Sequence, residues 1–403
     1  MTRKLRFDID QKINLHTGAM LAPNIARALA LPMMSAHGDE FLEIYHETRR
    51  MLQEVMGTRA TVLITMGTTT AALDTAIASV VEPGTKVLVV VNGRGVFSER
   101  LLRMVEHYGG EAVVVRSPAE RPIRVEEVEA ALDRQGPVEV MVVPHVESTY
   151  GTANPIDELG RVARRQGALY LVDAAPTVGG TDYRMDEWGI DLTVTSSFKA
   201  LGGTMGTPII AANRRVWARL EARKSRPATY HDLTYWRRYF VDAEGRSIDG
   251  DPAPSMAVNN VCALHEGVAM ILEWGRERVF RMHRVAAQAT RAGVRAMGLE
   301  LFPRCEDGRG LSDALTVVRY PAGVEERRFR WEVLAGKYDV IVSGGLGELR
   351  GRVFRIGHMG IAQVLPRVVL TAVAAIEAAM WELGVDVRRG EGVKAAQEVL
   401  AEL

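Results

Sequence analysis

The residues best placed to do chemistry lie in DLTVTSSFKALGGTMGT, 191–207, where a lysine follows an apolar strand pattern and then meets a glycine-rich turn. Lys199 is the only lysine between positions 86 and 224. An amine at the carboxyl end of a strand, in semi-apolar surroundings, has a depressed pKa and can form a Schiff base with a carbonyl. A surface lysine is the plain alternative, but the hydroxyls and glycines here let a phosphate or a flat ring approach. Asp173, 26 residues earlier, closes the apolar run ALYLVD. A carboxylate there needs a cationic or hydrogen-bonding partner, because burying it unpaired is costly. A protonated pyridine nitrogen is such a partner, so an aspartate with a Schiff-base lysine suits pyridoxal phosphate chemistry. An N-cap or a metal ligand would be its other uses. A third feature is Met66-Gly67-Thr68-Thr69-Thr70-Ala71-Ala72, where a strand pattern turns directly into a helical one. Free N–H groups at a helix start, beside threonine hydroxyls, form an anion site. No GxxxxGK[ST] is present, and the GRG at 93–95 does not complete GxGxxG, so nucleotide and dinucleotide folds are disfavoured.

These residues must be held by a buried sheet. Strand patterns recur at 61–65, 86–91, 111–115, 138–143, 168–173, 191–196 and 207–212. Amphipathic stretches separate them at Thr69–Val81, Ser98–Tyr108, Arg124–Arg134 and Ile156–Gln166. Near-continuous apolar strands alternating with helices predict an α/β fold with a mostly parallel seven-stranded sheet, covered on both faces. Ligands bind such sheets outside the carboxyl ends of the strands. A long helical region is expected over 255–297, ending at Gly298. A smaller α+β unit follows, with strands near 300–302, 314–319, 340–343 and 352–356 and helices at 325–336 and 361–383. Residues 225–254 read as a long irregular segment. The expected division is an N-terminal arm at 1–20, a large cofactor-binding domain at 21–275 and a small C-terminal domain at 276–403.

Composition removes several function classes. The 403 residues carry 50 Lys+Arg against 50 Asp+Glu, so no global field draws the chain to nucleic acid or an anionic membrane. Only seven basic residues are lysines, which makes any lysine in an apolar setting conspicuous. Cys262 and Cys305 lie outside any CxxC or metal-ligand spacing. They read as reduced thiols of a cytoplasmic protein with no metal site. The start MTRKLRFDID lacks an apolar signal core, and no apolar run approaches membrane-spanning length.

Taken in order, Gly67–Thr70, Asn92-Gly93 with Phe97, His145-Val146-Glu147-Ser148-Thr149, Asp173-Ala174-Ala175, Ser197-Phe198-Lys199 and Phe354-Arg355-Ile356-Gly357 resemble the class V aminotransferases. These are fold-type I pyridoxal phosphate enzymes. The likeness runs from His37-Gly38-Asp39-Glu40-Phe41 to the GEGVKAAQEVL tail. It is nearest to the alanine–glyoxylate, serine–pyruvate and serine–glyoxylate aminotransferases, together with pyridoxamine–pyruvate transaminase. The resemblance implies pyridoxal 5′-phosphate held by Lys199 as an aldimine, with Lys199 also the proton shuttle. Asp173 would keep the ring nitrogen protonated. Phe97 would stack on the ring, given a two-residue extension of the NGRGV loop, and Ala175 would close the other face. Ser148 would bond the ring's polar edge, and Thr68, Thr69 and Thr70 would hold the phosphate. Arg355, in RVFRIGHMG, would clamp a substrate carboxylate through its planar fork. A homodimer acting on small amino and 2-oxo acids is also implied.

The chain departs from the family pattern at several points. Phe198 stands where Gln or Asn usually precedes the lysine. Thr204-Met205-Gly206 replaces a Pro-Pro-Gly turn, and Ala253-Pro254-Ser255 replaces a Thr-Pro offered to the neighbouring subunit. Tyr230, Ser255 or Ser197 could compensate. LHTGAML, 15–21, stands where PGPT is typical. The shared RIGHMG and KAAQEVL favour the pyridoxamine–pyruvate branch, whereas Thr68, Leu346 and the run Ser343–Glu348 favour the glyoxylate-using group. The expected reaction moves an amino group from alanine or serine to glyoxylate or pyruvate. Alternatives are pyridoxamine–pyruvate transamination, a lyase or desulfurase using Cys305, and a cofactor-binding homologue without turnover.

Overall fold

Seven runs of aliphatic and β-branched residues pair into one sheet in the computed structural model, which describes residues 12–16, 18, 20–237, 254–305 and 310–403. They are β1 (Thr61–Ile64), β2 (Lys86–Asn92), β3 (Glu111–Ser117), β4 (Val140–Pro144), β5 (Leu169–Asp173), β6 (Leu192–Thr195) and β7 (Ile209–Ala212). The sheet order is β1-β7-β6-β5-β4-β2-β3. All neighbours are parallel except β7, which runs antiparallel to both β1 and β6. The cause is local: the β6–β7 connection holds a single 3-10 turn, Lys199–Leu201, and no crossover helix. Strands β4, β5 and β6 are buried throughout, as a sheet covered on both faces requires. Helices α1 (Asp39–Met56), α2 (Thr69–Val80), α3 (Val96–His107), α4 (Val125–Gln135) and α5 (Ile156–Gln166) supply the cover. Phe41, Tyr45 and Leu52 of α1 and Leu101 and Val105 of α3 join the sheet in one hydrophobic core.

A second core gathers around β8 (Leu315–Arg319), β9 (Ser343–Gly344) and β10 (Val353–Gly357), an antiparallel sheet in the order β8-β10-β9. Several expectations change here. The helical region expected over 255–297 is two helices, α6 (Val258–Trp274) and α7 (Arg276–Ala296). Gly275 separates them with φ of 83°, a left-handed value that no helix continues through. The strand expected at 300–302 is a lone bridge from Leu301 to Val318. That expected at 340–343 divides: Val340–Ile341 pairs in parallel with Ile13–Asn14, and Ser343–Gly344 pairs with β10. Within 325–336 the helix widens to π geometry over Arg328–Leu334. The last long helix, α8, starts only at Pro366 and runs to Glu382, since proline favours a first turn. The irregular segment at 225–254 holds a 3-10 turn, Thr229–His231, and a short helix, Leu233–Arg237. Residues 238–253, with Ala253, lie outside the described residues. Among the described residues no helix is long and apolar enough to cross a membrane.

Helix α6 fixes the turn that carries Lys199. A Cβ on Gly267 would fall 2.3 Å from the Leu201 carbonyl oxygen, so only glycine admits this approach. Gly267→Ala is therefore expected to lower stability by about 1–3 kcal/mol through overpacking against main chain. Thermal or denaturant unfolding of the cofactor-free protein checks this, and unchanged stability would contradict the packing argument.

Candidate active site

The carboxyl ends of β1, β5 and β6 open into one cavity of about 230 Å³. It is lined by Thr68, Thr69 and Thr70 at the start of α2, by Phe97 on α3, by Asp173 and Ala175 after β5, and by Lys199. Seven of the residues singled out in the sequence thus share one space. Two larger clefts, of about 730 and 800 Å³, share Arg59 and Asp186 near the amino end of β1 and have many charged side chains in their lining. They contain none of the singled-out residues, so we place the chemistry in the smaller cavity.

Each wall has a local cause. Thr68 caps α2, its Oγ1 accepting the Ala71 N–H at 3.2 Å, and Thr69 Oγ1 lies 2.8 Å from Ser196 Oγ. The earliest N–H groups of α2 therefore start at the cavity wall with no intrahelical acceptor. Asp173 is 5% exposed and its Oδ1 accepts the Ala175 N–H at 3.0 Å. Burial raises its pKa, against the pull of that N–H and of the Lys199 charge. Lys199 takes a left-handed φ of 59°, which side chains rarely adopt. Its Nζ lies 5.8 Å from the Phe97 ring centre and 5.7 Å from that of Phe198. Burial pushes the amine down to about 8; Asp173 opposes the fall, and Arg355 and Arg100 add to it. No ion pair closes between Asp173 and Lys199, although both face the cavity.

Ser148 and Arg355 do not line this cavity; they meet each other beside it. Arg355, in β10 and 5% exposed, donates from Nε to the Gly344 carbonyl at 2.8 Å and from Nη1 to the Ser148 carbonyl at 3.1 Å. The contact uses the backbone of Ser148 rather than its hydroxyl. Burial, then the neighbouring Arg330, brings the Arg355 guanidinium down to about 10, with Glu147 opposing. Of the candidate compensators, Ser197 lines the cavity but gives its hydroxyl to the Thr204 carbonyl at 2.5 Å. Tyr230 and Ser255 lie outside the lining.

Two charged residues that sequence reasoning left without a role belong to this region. Glu147 is fully buried; its Oε2 accepts the Ser98 N–H and hydroxyl, both at 2.8 Å, and its Oε1 accepts the Thr149 N–H at 2.9 Å. An anion at the start of α3 satisfies otherwise orphaned donors and suits the helix dipole, so Glu147 sets where Phe97 stands. Arg100 lines the cavity itself. Its spacing of three from Phe97 on a helix was the available signal.

The model of the aminotransferase class V family matches residues 24–309. An uncharacterized aminotransferase of Methanocaldococcus jannaschii is 34% identical over 397 residues, covering 98% of this chain and 99% of that protein. The chain is a class V aminotransferase. The alanine–glyoxylate aminotransferase of Mus musculus is 31% identical, over 84% of this chain and 80% of that protein. The crystal structure of ureidoglycine–glyoxylate aminotransferase from Bacillus subtilis superposes with a TM-score of 0.89 at 27% identity, covering 99% of this chain and 100% of that one. The fold is therefore fold-type I, and this class V aminotransferase depends on pyridoxal phosphate. Its cavity has the donor set for that cofactor: a carboxylate for a cationic ring nitrogen, an amine for an aldehyde, and a helix start for a phosphate.

In the cofactor-free protein Lys199 should titrate near pH 8. Its folded pKa lies below the unfolded value of 10.5, so the unfolded chain holds this proton more tightly. The group therefore lowers stability below about pH 8, and the deficit fades as pH rises from there to 10.5. Asp173→Asn removes the charge that holds the amine up, so the midpoint should fall further. The rate of acetylation of Lys199 against pH, read by peptide mass spectrometry, checks both statements. A midpoint near 10, or a rise in Asp173→Asn, would contradict them.

Proposed function

We propose that this aminotransferase moves the amino group of a small amino acid, alanine or serine, to glyoxylate or pyruvate. The observation that carries this reading is a buried arginine, Arg355, held by two carbonyls beside the Lys199 cavity. A fixed guanidinium fork there suits one α-carboxylate, the group shared by every amino and 2-oxo acid. The mouse and Bacillus relatives are both named for glyoxylate and for different amino donors, which supports glyoxylate as acceptor and leaves the donor to the pocket.

In this reading the chain's own groups divide the work. Bound pyridoxal phosphate supplies the capacity to hold negative charge drawn from an amino acid's α-carbon. Asp173 keeps the proton on the ring nitrogen, its carboxylate being too buried to remain without a cation. Phe97 and Ala175, which both line the cavity, would confine the ring. Lys199 Nζ would take the proton from the α-carbon of the donor and return it to complete the transfer; its depressed pKa leaves about a tenth of the amine unprotonated at pH 7, far more than in an ordinary lysine. Arg355 orients the substrate carboxylate, and the Phe97 and Phe198 rings keep water from the amine. The cavity lining has no cysteine among the described residues, so nothing there favours the desulfurase alternative.

A homodimer belongs to the same proposal. Met205 lines the cavity yet is 64% exposed, and Leu31 and Met33 are 47% and 87% exposed. Asn260 and Asn259 of α6 bond the carbonyls of Met205 and Leu31, which ties both segments to the start of one helix, and their exposed apolar side chains are ones a second copy would cover.

Mixing the holoprotein with alanine or serine alone should convert the bound cofactor to its amino form, and glyoxylate or pyruvate should restore it, as followed by absorbance. Arg355→Ala should lower kcat/KM for these substrates by about 100-fold, the worth of a charged hydrogen bond. A protein reactive only with dicarboxylic donors, or an Arg355→Ala variant with unchanged kinetics, would contradict the proposal.

A further inference from the structure

A phosphate dianion needs several donors and a compensating charge, and the residue beside Lys199 provides neither. Phe198 lines the cavity with a hydrocarbon ring. Arg100 lines the same cavity from α3, one turn beyond Phe97, with its Cζ 5.3 Å from the Phe97 ring centre. Its Nη1 donates to Thr70 Oγ1 at 2.7 Å, which ties the guanidinium to the start of α2. Guanidinium has five N–H donors, and this bond uses one. Among the described residues no carboxylate pairs with Arg100, and the cavity contains one carboxylate, Asp173, facing two cations. An unpaired arginine held beside a helix start by a threonine of its first turn is a cation waiting for an anion.

We propose that Arg100 binds the phosphate of the cofactor, with Thr70 as the residue that orients it. It supplies the charge and the donors that Phe198 lacks, so anchoring of the phosphate moves from the lysine turn to α3. Phe97 and Arg100, three residues apart, then hold the ring and the phosphate from a single helix, whose start Glu147 pins. The inference rests on pyridoxal phosphate occupying this cavity.

The test compares pyridoxal phosphate with pyridoxal, which lacks the phosphate. Both are titrated into cofactor-free wild type, Arg100→Met, Arg100→Lys and Thr70→Val, with binding followed by protein fluorescence and absorbance. Arg100→Met should bind pyridoxal phosphate about 10- to 100-fold more weakly while its pyridoxal affinity stays within about twofold of wild type. Inorganic phosphate should compete with pyridoxal phosphate in wild type and much less in that variant. Arg100→Lys and Thr70→Val should lose discrimination partially, and they carry the test should Arg100→Met fail to fold. Equal weakening of both compounds would make Arg100 a support for Phe97 alone and overturn the inference, as would unchanged discrimination. Wild type that binds neither compound would overturn the cofactor's placement as well.

Discussion

Asp173 and Lys199 face each other across a cavity that neither closes by direct pairing, and this separated pair of buried charges is what the surrounding structure serves. Burial alone would neutralise both, raising the acid and lowering the amine, and each partly reverses the shift of the other. Direct contact would satisfy them and leave no room for chemistry. Held apart, they bracket a space that suits a group with a cationic ring nitrogen at one end and a carbonyl at the other.

The sheet achieves that separation through its topology. Asp173 ends β5, whose neighbour β6 ends at Thr195, so both chemical residues leave adjacent parallel strands at the same edge. The chain then reverses through Lys199–Leu201 into antiparallel β7 instead of crossing over in a helix. That reversal brings Lys199 back over the cavity in a left-handed backbone conformation, backed by α6. Strained backbone of this kind persists only where its surroundings over-determine it. From the other side, Glu147 gathers the start of α3, and the small sheet delivers Arg355 to the Ser148 carbonyl.

Much of this was legible in the sequence, for identifiable reasons. Strands buried on both faces read as apolar runs, and a lysine is conspicuous when arginine supplies nearly all the basic residues. Lys199, Asp173, Phe97, Ala175 and the three threonines accordingly line one cavity. The break at Gly275 was obscured because amphipathic Arg, Ala and Val patterning resumes on either side of it. The π turn at Arg328–Leu334 has no residue signature. Glu147 could not be read as a buried acceptor, since its donors at Ser98 come from 49 residues away. Arg100 was hidden among the many arginines, and its meaning depends on Thr70 of a different helix. Ser148 is expected at the ring's polar edge and Arg355 at the substrate carboxylate, and the contact between the two, through a backbone carbonyl, has no signature in either motif.

The central claim is that Lys199 does the chemistry, because among the described residues it is the one lysine that lines a cavity with a buried aspartate. Borohydride reduction of the holoprotein, followed by peptide mapping, tests this most directly. The account predicts a stable cofactor adduct on Lys199 and none on the other lysines. An adduct on another lysine, or a reduced protein whose Lys199 peptide is unmodified, would contradict it.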